Sequence, residues 1–261
     1  MRQMNISFIG AGRVGDILSR ALYSKGYKIN IIVSTTETNG RKLAETVNAE
    51  WSASYEFSSI DDLIIVAVSD RSLQKVLSEI NCSPDTMVVH TAGSFGLEVF
   101  ENSSISRKGV FYPLQTFSKD RKIGFDGLPF LLEASGEEGY SLMEEIVKKL
   151  GSVSYRIDTE SRKLYHLAAV FACNFTNYML TSGKRITDLY HLPFDLLKPL
   201  VEETVNKAFE MGPENSQTGP GIRNDINTLN KHRELLSFDP ELEKLYNMVT
   251  GSIFGYYNND K

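Results

Sequence analysis

A chain of 261 residues, 41% of them hydrophobic, with a net charge of −5, has the apolar fraction of a folded protein rather than a disordered one. Its acids and bases are interspersed, without the basic stripe that neutralises phosphates, which excludes nucleic acid as an expected partner. Two distant cysteines, Cys82 and Cys173, suggest neither a disulfide framework nor a metal site; no run approaches the ~20 apolar residues of a membrane span, and the start "MRQMNISFIG" lacks a signal-peptide h-region, so a cytoplasmic protein without a membrane association is expected.

The first strand is "ISFIG", short, apolar and closed by glycine. "RVGDILSRALYSKG" follows with Val14, Ile17, Leu18, Ala21 and Leu22 at helical spacing and Gly26 as a stop. "KINIIVS" reads as a second strand, "NGRKLAETVNA" as a helix, and "DLIIVAVS" as a central parallel strand buried on both faces. "RSLQKVLSEI" and "TMVVHTAG" add a helix and a strand. This βαβαβ order predicts a doubly wound, mainly parallel α/β sheet of the Rossmann type. "LPFLLEA", "GYSLMEEIVKKLG" and "VSYRI" continue it as strand, helix and strand, completing a domain over residues 1–156. Residues 157–261 read as an all-helical domain. "TESRKLYHLAAVFACNFTNYMLTSG" predicts one long helix, "LPFDLLKPLVEETVNKAFEMG" a second ending at Gly212, "GIRNDINTLNKHRELL" a shorter one, and "DPELEKLYNMVTGSIFGYY" a last one capped by Asp239 with Pro240 at its first position.

Between the first strand and first helix lies "GAGRVG", Gly10, Ala11, Gly12, Arg13, Val14 and Gly15. A G-x-G-x-x-G gains meaning from this strand–turn–helix setting. Gly10 permits the tight turn, Gly12 lets a pyrophosphate approach the backbone, and Gly15 lets helix pack on strand. The N–H groups and positive end of the helix then receive phosphate. After the second strand, where an NAD site carries an acid, this chain has Ser34 and Thr35, then Thr36, with Arg41 nearby. Hydroxyls and a base suit a 2′-phosphate, so NADP(H) is the expected cofactor. The loops beyond the next strands, Val68 and Ser69, then Thr91, Ala92 and Gly93, are expected to complete the site.

At "HTAGS", "FYPLQTFS", "LYHLAAVFACN" and "TGPGIRND" the chain resembles, over nearly its whole length, a family of two-domain NADP oxidoreductases similar to the deazaflavin (coenzyme F420)-dependent NADP reductases. The resemblance implies an N-terminal Rossmann-like domain and a C-terminal helical domain, a fold shared with ketopantoate reductase, pyrroline-carboxylate reductase and the hydroxyacid dehydrogenases. In those relatives the helical domain closes over the nicotinamide and often builds a dimer; a homodimer is expected here. The family usually has His-Pro where this chain has Tyr112-Pro113. Relatives use Lys-x-x-x-Asn on the helix corresponding to the long one here. With Asn174 as that asparagine, Val170 stands in the lysine position and the usual proton donor is missing.

His166, one turn earlier, is the expected replacement, since imidazole suits proton transfer at neutral pH; Tyr112 is the alternative. At ~3.6 residues per turn His166, Val170, Asn174, Asn177 and Thr181 share a flank, and its imidazole and two amides would bond a carbonyl or carboxylate. Gln115 and Thr116, after the Pro113 turn, are expected to line the cleft, and Arg223 to clamp a carboxylate. Equally, Asp225, Thr228 and His232 share one helical face that anchors its helix without any substrate. His90 is expected to bond backbone. The resulting expectation is a reductase moving hydride between NADPH and a small carbonyl, imine or deazaflavin-type acceptor. The alternatives are a non-catalytic dinucleotide sensor or scaffold, suggested by Val170 and Tyr112, or a protein for FAD or S-adenosylmethionine.

Overall fold

The structure, a computed structural model, describes residues 3–258 other than 59, 119, 120 and 122. Its elements run β1 (Asn5–Ile9), α1 (Arg13–Ser24), β2 (Lys28–Val33), α2 (Glu37–Thr46), β3 (Glu50–Ser52), β4 (Leu63–Val66), α3 (Asp70–Glu79), β5 (Met87–His90), β6 (Arg107–Pro113), β7 (Pro129–Ala134), α4 (Glu137–Leu150), β8 (Val153–Arg156) and α5 (Thr159–Ala169). After a π segment, Val170–Phe175, come α6 (Thr176–Leu189), α7 (Lys198–Met211), α8 (Pro213–Ser216), α9 (Ile226–Leu235) and α10 (Pro240–Asn258). The backbone divides into two compact units, Met1–Cys173 and Asn174–Lys261.

The first unit holds one eight-stranded sheet in the order β3-β2-β1-β4-β5-β6-β7-β8. All neighbours are parallel except β6 and β7, which run antiparallel with Phe111 opposite Leu132. Every residue of β4, "LIIV", is buried, and the pleat sends them alternately to two layers. Leu63 and Ile65 meet Leu18, Leu22 and Leu43, while Ile64 and Val66 meet Leu73 and Leu77. A strand covered by helices on both faces has no polar side to present, which is why its sequence is an unbroken apolar run. The chain winds from β1 out to β3, then returns to β4 on the other side of β1. The crevice between their carboxyl ends is the switch point where such sheets take ligands.

Two strands escape a pattern-based reading. β3 is a three-residue edge strand, "EWS", too short for any period. β6, "RKGVFYP", begins with two charged residues.

At the opposite edge, buried Asp61 ties the strand entries together. Its Oδ1 accepts from Ser7 Oγ of β1 (2.5 Å) and Asn30 Nδ2 of β2 (3.0 Å), and its carbonyl accepts from Thr86 Oγ1 ahead of β5 (2.7 Å).

The second unit is helical, as expected. Asp225 caps α9, its carboxylate accepting the backbone N–H and Oγ1 of Thr228, and Asp239 accepts from Leu242 N at the start of α10. Gly212, at φ +83°, ends α7. Leu229, Leu236 and Leu242 are buried, but Leu196, Leu200, Phe209 and Met248 are more than 60% exposed. Among the described residues no helix is long and apolar enough to cross a membrane.

The one long helix expected from Thr159 onward is interrupted by the π segment at 170–175. A π turn carries an extra residue, so the 3.6-residue period does not hold through it. The regular helical period on which the expected flank of His166, Val170, Asn174, Asn177 and Thr181 was drawn is therefore broken at 170–175.

Replacing Asp61 by alanine leaves the buried Ser7 hydroxyl and the half-buried Asn30 amide without their acceptor. Urea unfolding of Asp61→Ala is expected to show a loss of about 2–4 kcal/mol.

Candidate active site

The glycine turn forms where β1 passes into α1. Gly10 has φ +108°, and a Cβ there would stand 2.3 Å from the Ala67 carbonyl oxygen at the end of β4. A Cβ on Gly15 would lie 2.0 Å from the Gly10 carbonyl oxygen. Both glycines are thus required by close backbone approach. Gly12 differs, because among the described residues nothing lies within 4 Å of its Cβ position. It is the N-cap of α1, and no side chain caps that end. The first N–H groups of α1 therefore point into open space at the positive end of the helix, as an anionic ligand requires.

This turn borders a cavity of about 440 Å³, within the usual range for small-molecule sites. Gly10, Ala11 and Gly12 line it, with Ser34 and Thr35 after β2 and Val68 and Ser69 after β4. Thr36, Asn39, Tyr55, Ser72 and Lys75 line it too. The sequence alone did not single out the last four, because they reach the cavity only through the way α2, the loop after β3 and α3 lie against the sheet. Arg13, Val14, Gly15 and Arg41 are not among the lining residues.

Arg41, expected near a 2′-phosphate, is engaged locally on α2. Its Nε donates to Glu37 Oε1 (2.7 Å) and its guanidinium lies 4.4 Å over the Trp51 ring. Trp51 Nε1 in turn donates to Ser34 Oγ (3.2 Å). The basic group that does line the cavity is Lys75, whose ammonium is 3.9 Å from Glu79.

Beyond β5 the chain forms a loop, Thr91–Gly96. Thr91 N donates to the Val66 carbonyl (3.1 Å). His90, fully buried, holds the loop from below. Its Nδ1 accepts from Ala92 N (3.2 Å) and its Nε2 faces the Gly96 carbonyl (3.3 Å). An accepting Nδ1 places the proton on Nε2, so this imidazole is neutral, and burial pushes its pKa down to about 4. The structural role expected of His90 is thereby observed.

Over the loop, Tyr112 at the end of β6 and His166 on α5 meet, with Tyr112 Oη 2.9 Å from His166 Nδ1. They come together because position 93 has no side chain. A Cβ there would be 2.7 Å from both His166 Nδ1 and Tyr112 Cζ. Burial is the first cause raising the pKa of Tyr112, followed by Asp70 and Cys173, so the phenol keeps its proton at neutral pH. Asp70 accepts from Ser94 Oγ (2.6 Å) on the same loop.

Gln115 and Thr116 are exposed, with the Gln115 side-chain oxygen accepting from Thr116 N (2.8 Å). Asn174, Asn177 and Arg223 belong to the second unit and are exposed. There the proposed Asp–Thr–His face divides. Asp225 serves Thr228, and His232 Nδ1 pairs with Tyr246 Oη (2.8 Å). The Thr228 side chain is the first cause holding the Asp225 carboxyl below its usual range, and Arg223 contributes further down. Among the described residues no cluster of His, Cys, Asp or Glu is arranged to hold a metal ion.

Residues 5–93 match the family described as "NADP oxidoreductase coenzyme F420-dependent", and residues 128–253 match a domain of unknown function, DUF2520. A Bacteroides fragilis protein assigned as an NADP oxidoreductase is 38% identical; the match covers 97% of this chain and 98% of that one, with a TM-score of 0.87. A Thermotoga maritima protein is 25% identical over 98% of this chain and 99% of its own (TM-score 0.68). A reductive aminase from Aspergillus terreus, solved with NADPH and ethyl-5-oxohexanoate, shares the fold at 14% identity (98% and 100% covered, TM-score 0.72). No curated protein matches the chain.

The lowered His90 pKa has a defined consequence for stability. Between its ordinary 6.5 and about 4, the unfolded chain takes up a proton that the folded chain refuses. This contribution is complete above pH 6.5 and is lost as pH falls toward 4, by on the order of 3 kcal/mol. Denaturation curves across that range are expected to show the loss, and His90→Gln to flatten it.

Proposed function

Since the chain belongs to the NADP oxidoreductase family, with a coenzyme F420-dependent-type domain followed by DUF2520, we propose that it moves hydride between NADPH and a small carbonyl, imine or deazaflavin-type acceptor. NADP(H) is the cofactor of the family. The single observation that carries the reaction is the Tyr112–His166 pair over the loop at Gly93.

The residues at the switch point fit the cofactor. The uncapped start of α1 and the open position at Gly12 suit the pyrophosphate, received by the backbone from Gly10 to Gly15. Ser34, Thr35 and Asn39 offer polar groups to the 2′-phosphate, and Lys75 offers the charge. Val68 and Ser69 flank the adenosine side, and Thr91, Ala92 and Gly93 form the rim toward the acceptor. Bound there, the cofactor supplies the hydride.

The protein supplies the proton. His166, as imidazolium, gives a proton to the oxygen or nitrogen that gains negative charge and returns to neutral imidazole. Nε2–H is the bond that breaks, so Nδ1 keeps its hydrogen and Tyr112 Oη accepts a hydrogen bond from it before and after the transfer. Because burial keeps the phenol protonated, it serves both states without losing its proton. Gln115, Thr116, Asn177 and Arg223 are the polar groups assigned to the substrate, and Asn174 is assigned a catalytic role. The division of labour is cofactor on residues 1–156 and substrate and dimer contacts on 157–261. The exposed Leu196, Leu200, Phe209 and Met248 support a homodimer through the helical region. Two unpaired thiols, Cys82 and Cys173, support a cytoplasmic location.

Calorimetry of purified protein with NADPH and NADH tests the cofactor reading. Tighter NADPH binding is expected, abolished by Gly12→Asp. Lys75→Gln is expected to weaken NADPH by about 10-fold or more, one charge-assisted hydrogen bond, leave NADH unchanged, and exceed the effect of Arg41→Gln. Turnover is then read across carbonyls, imines and a deazaflavin. His166→Gln is expected to lose about 100-fold or more, and Tyr112→Phe less. Full NADPH occupancy without turnover on any acceptor would leave a dinucleotide sensor in place of the reductase.

A further inference from the structure

We infer that Arg162 is a positioning residue that sets His166 over the Gly93 loop; the inference rests on the reading of His166 and Tyr112 as the proton-delivering pair. Thr159, Arg162 and His166 fall at i, i+3 and i+7 on α5 and so share one stripe. That stripe lies directly along the loop. At one end Thr159 stands where a Cβ on Gly96 would be, 2.0 Å from its Oγ1. At the other, His166 stands against Gly93. Between them Arg162, with no exposed surface, bridges two elements with its fork. Nη1 donates to Glu133 Oε2 on β7 (2.5 Å), and Nη2 donates to the Phe95 carbonyl of the loop (2.7 Å). Thr159 Oγ1 also donates to the Glu133 carboxylate (2.9 Å).

Stability alone gives a poor account of this arrangement. A buried ion pair recovers its desolvation cost only with excellent geometry, and apolar replacements often serve as well. Among the described residues Arg162 Nε has no hydrogen-bond partner. What the planar fork provides, and an apolar side chain does not, is a fixed distance between α5, β7 and the loop carbonyl at once. One turn further along the same stripe, that distance decides whether His166 Nδ1 reaches Tyr112 Oη.

The test is the imidazole ¹⁵N spectrum of His166, assigned by its disappearance in His166→Gln, in the wild type and in Arg162→Lys and Arg162→Met. Tyr112→Phe supplies the pattern of the lost bond, and buried His90, in the same unit as Arg162, reports that this unit is folded. Lysine keeps a charge for Glu133 but has no planar fork to span both acceptors. Both variants are expected to lose the single-tautomer pattern of His166 and to resemble Tyr112→Phe. A wild-type pattern in either folded variant overturns the inference, and so does unfolding of both, which would make Arg162 a stability residue. Absence of turnover in the wild type would remove the catalytic reading while the spectra still judge this one. With a substrate in hand, kcat of Arg162→Lys is expected to fall about 10–100-fold, as for a misplaced reacting group, with the KM for NADPH held.

Discussion

The carbonyl oxygens of Ala67 and Gly10 leave no space for a Cβ on Gly10 or Gly15, and this exclusion decides where α1 begins. Backbone packed on backbone at that corner brings the end of β4 against the end of β1 and tilts the helix so that its first N–H groups face the crevice. The rest of the first unit is arranged around the result. The apolar run of β4 is sandwiched because helices must cover both faces, and the loops after β2, β4 and β5 all reach the same edge.

Two kinds of buried polar group sit at the two ends of the sheet. At the strand entries Asp61 gathers side chains from neighbouring strands, a static knot that fixes register. At the carboxyl ends, His90 and Arg162 hold backbone carbonyls of one short loop. The first has a neutral ring whose two nitrogens do different work. The second has a charged plane that spans two acceptors. Together they make the Gly93–Gly96 segment a rigid shelf, and the Tyr112–His166 pair rests on it. Glycines at 93 and 96 are the places where a helix side chain comes down to the shelf.

The sheet was legible from sequence because its central strands are short apolar runs separated by helical periods, and the turn at Gly10–Gly15 because each glycine has a distinct steric task. β3 and β6 were not, since three residues carry no period and two leading charges hide a strand. The π segment was equally hidden. One extra residue in a turn leaves no mark on composition, yet it breaks the 3.6-residue period on which a flank from His166 to Asn177 was drawn. Arg41 and Lys75 illustrate a different limit. Proximity in sequence to the β2 turn favoured Arg41, but Glu37 and Trp51 engage it locally, whereas Lys75 arrives from α3, a helix whose crossing only the fold reveals. The meeting of Tyr112 and His166, 54 residues apart, depends on the same kind of long-range geometry, although each residue was individually visible.

The open surroundings of Gly12 separate two pressures that usually coincide. Gly10 and Gly15 are demanded by the fold, whereas the folded chain makes no steric demand for glycine at 12. Selection for a soluble, stable protein would therefore preserve the outer two and ignore the middle one. A lineage that had stopped using the nucleotide would be free to drift at position 12 first, its architecture intact, and that single position would record the loss before any other part of the sheet did.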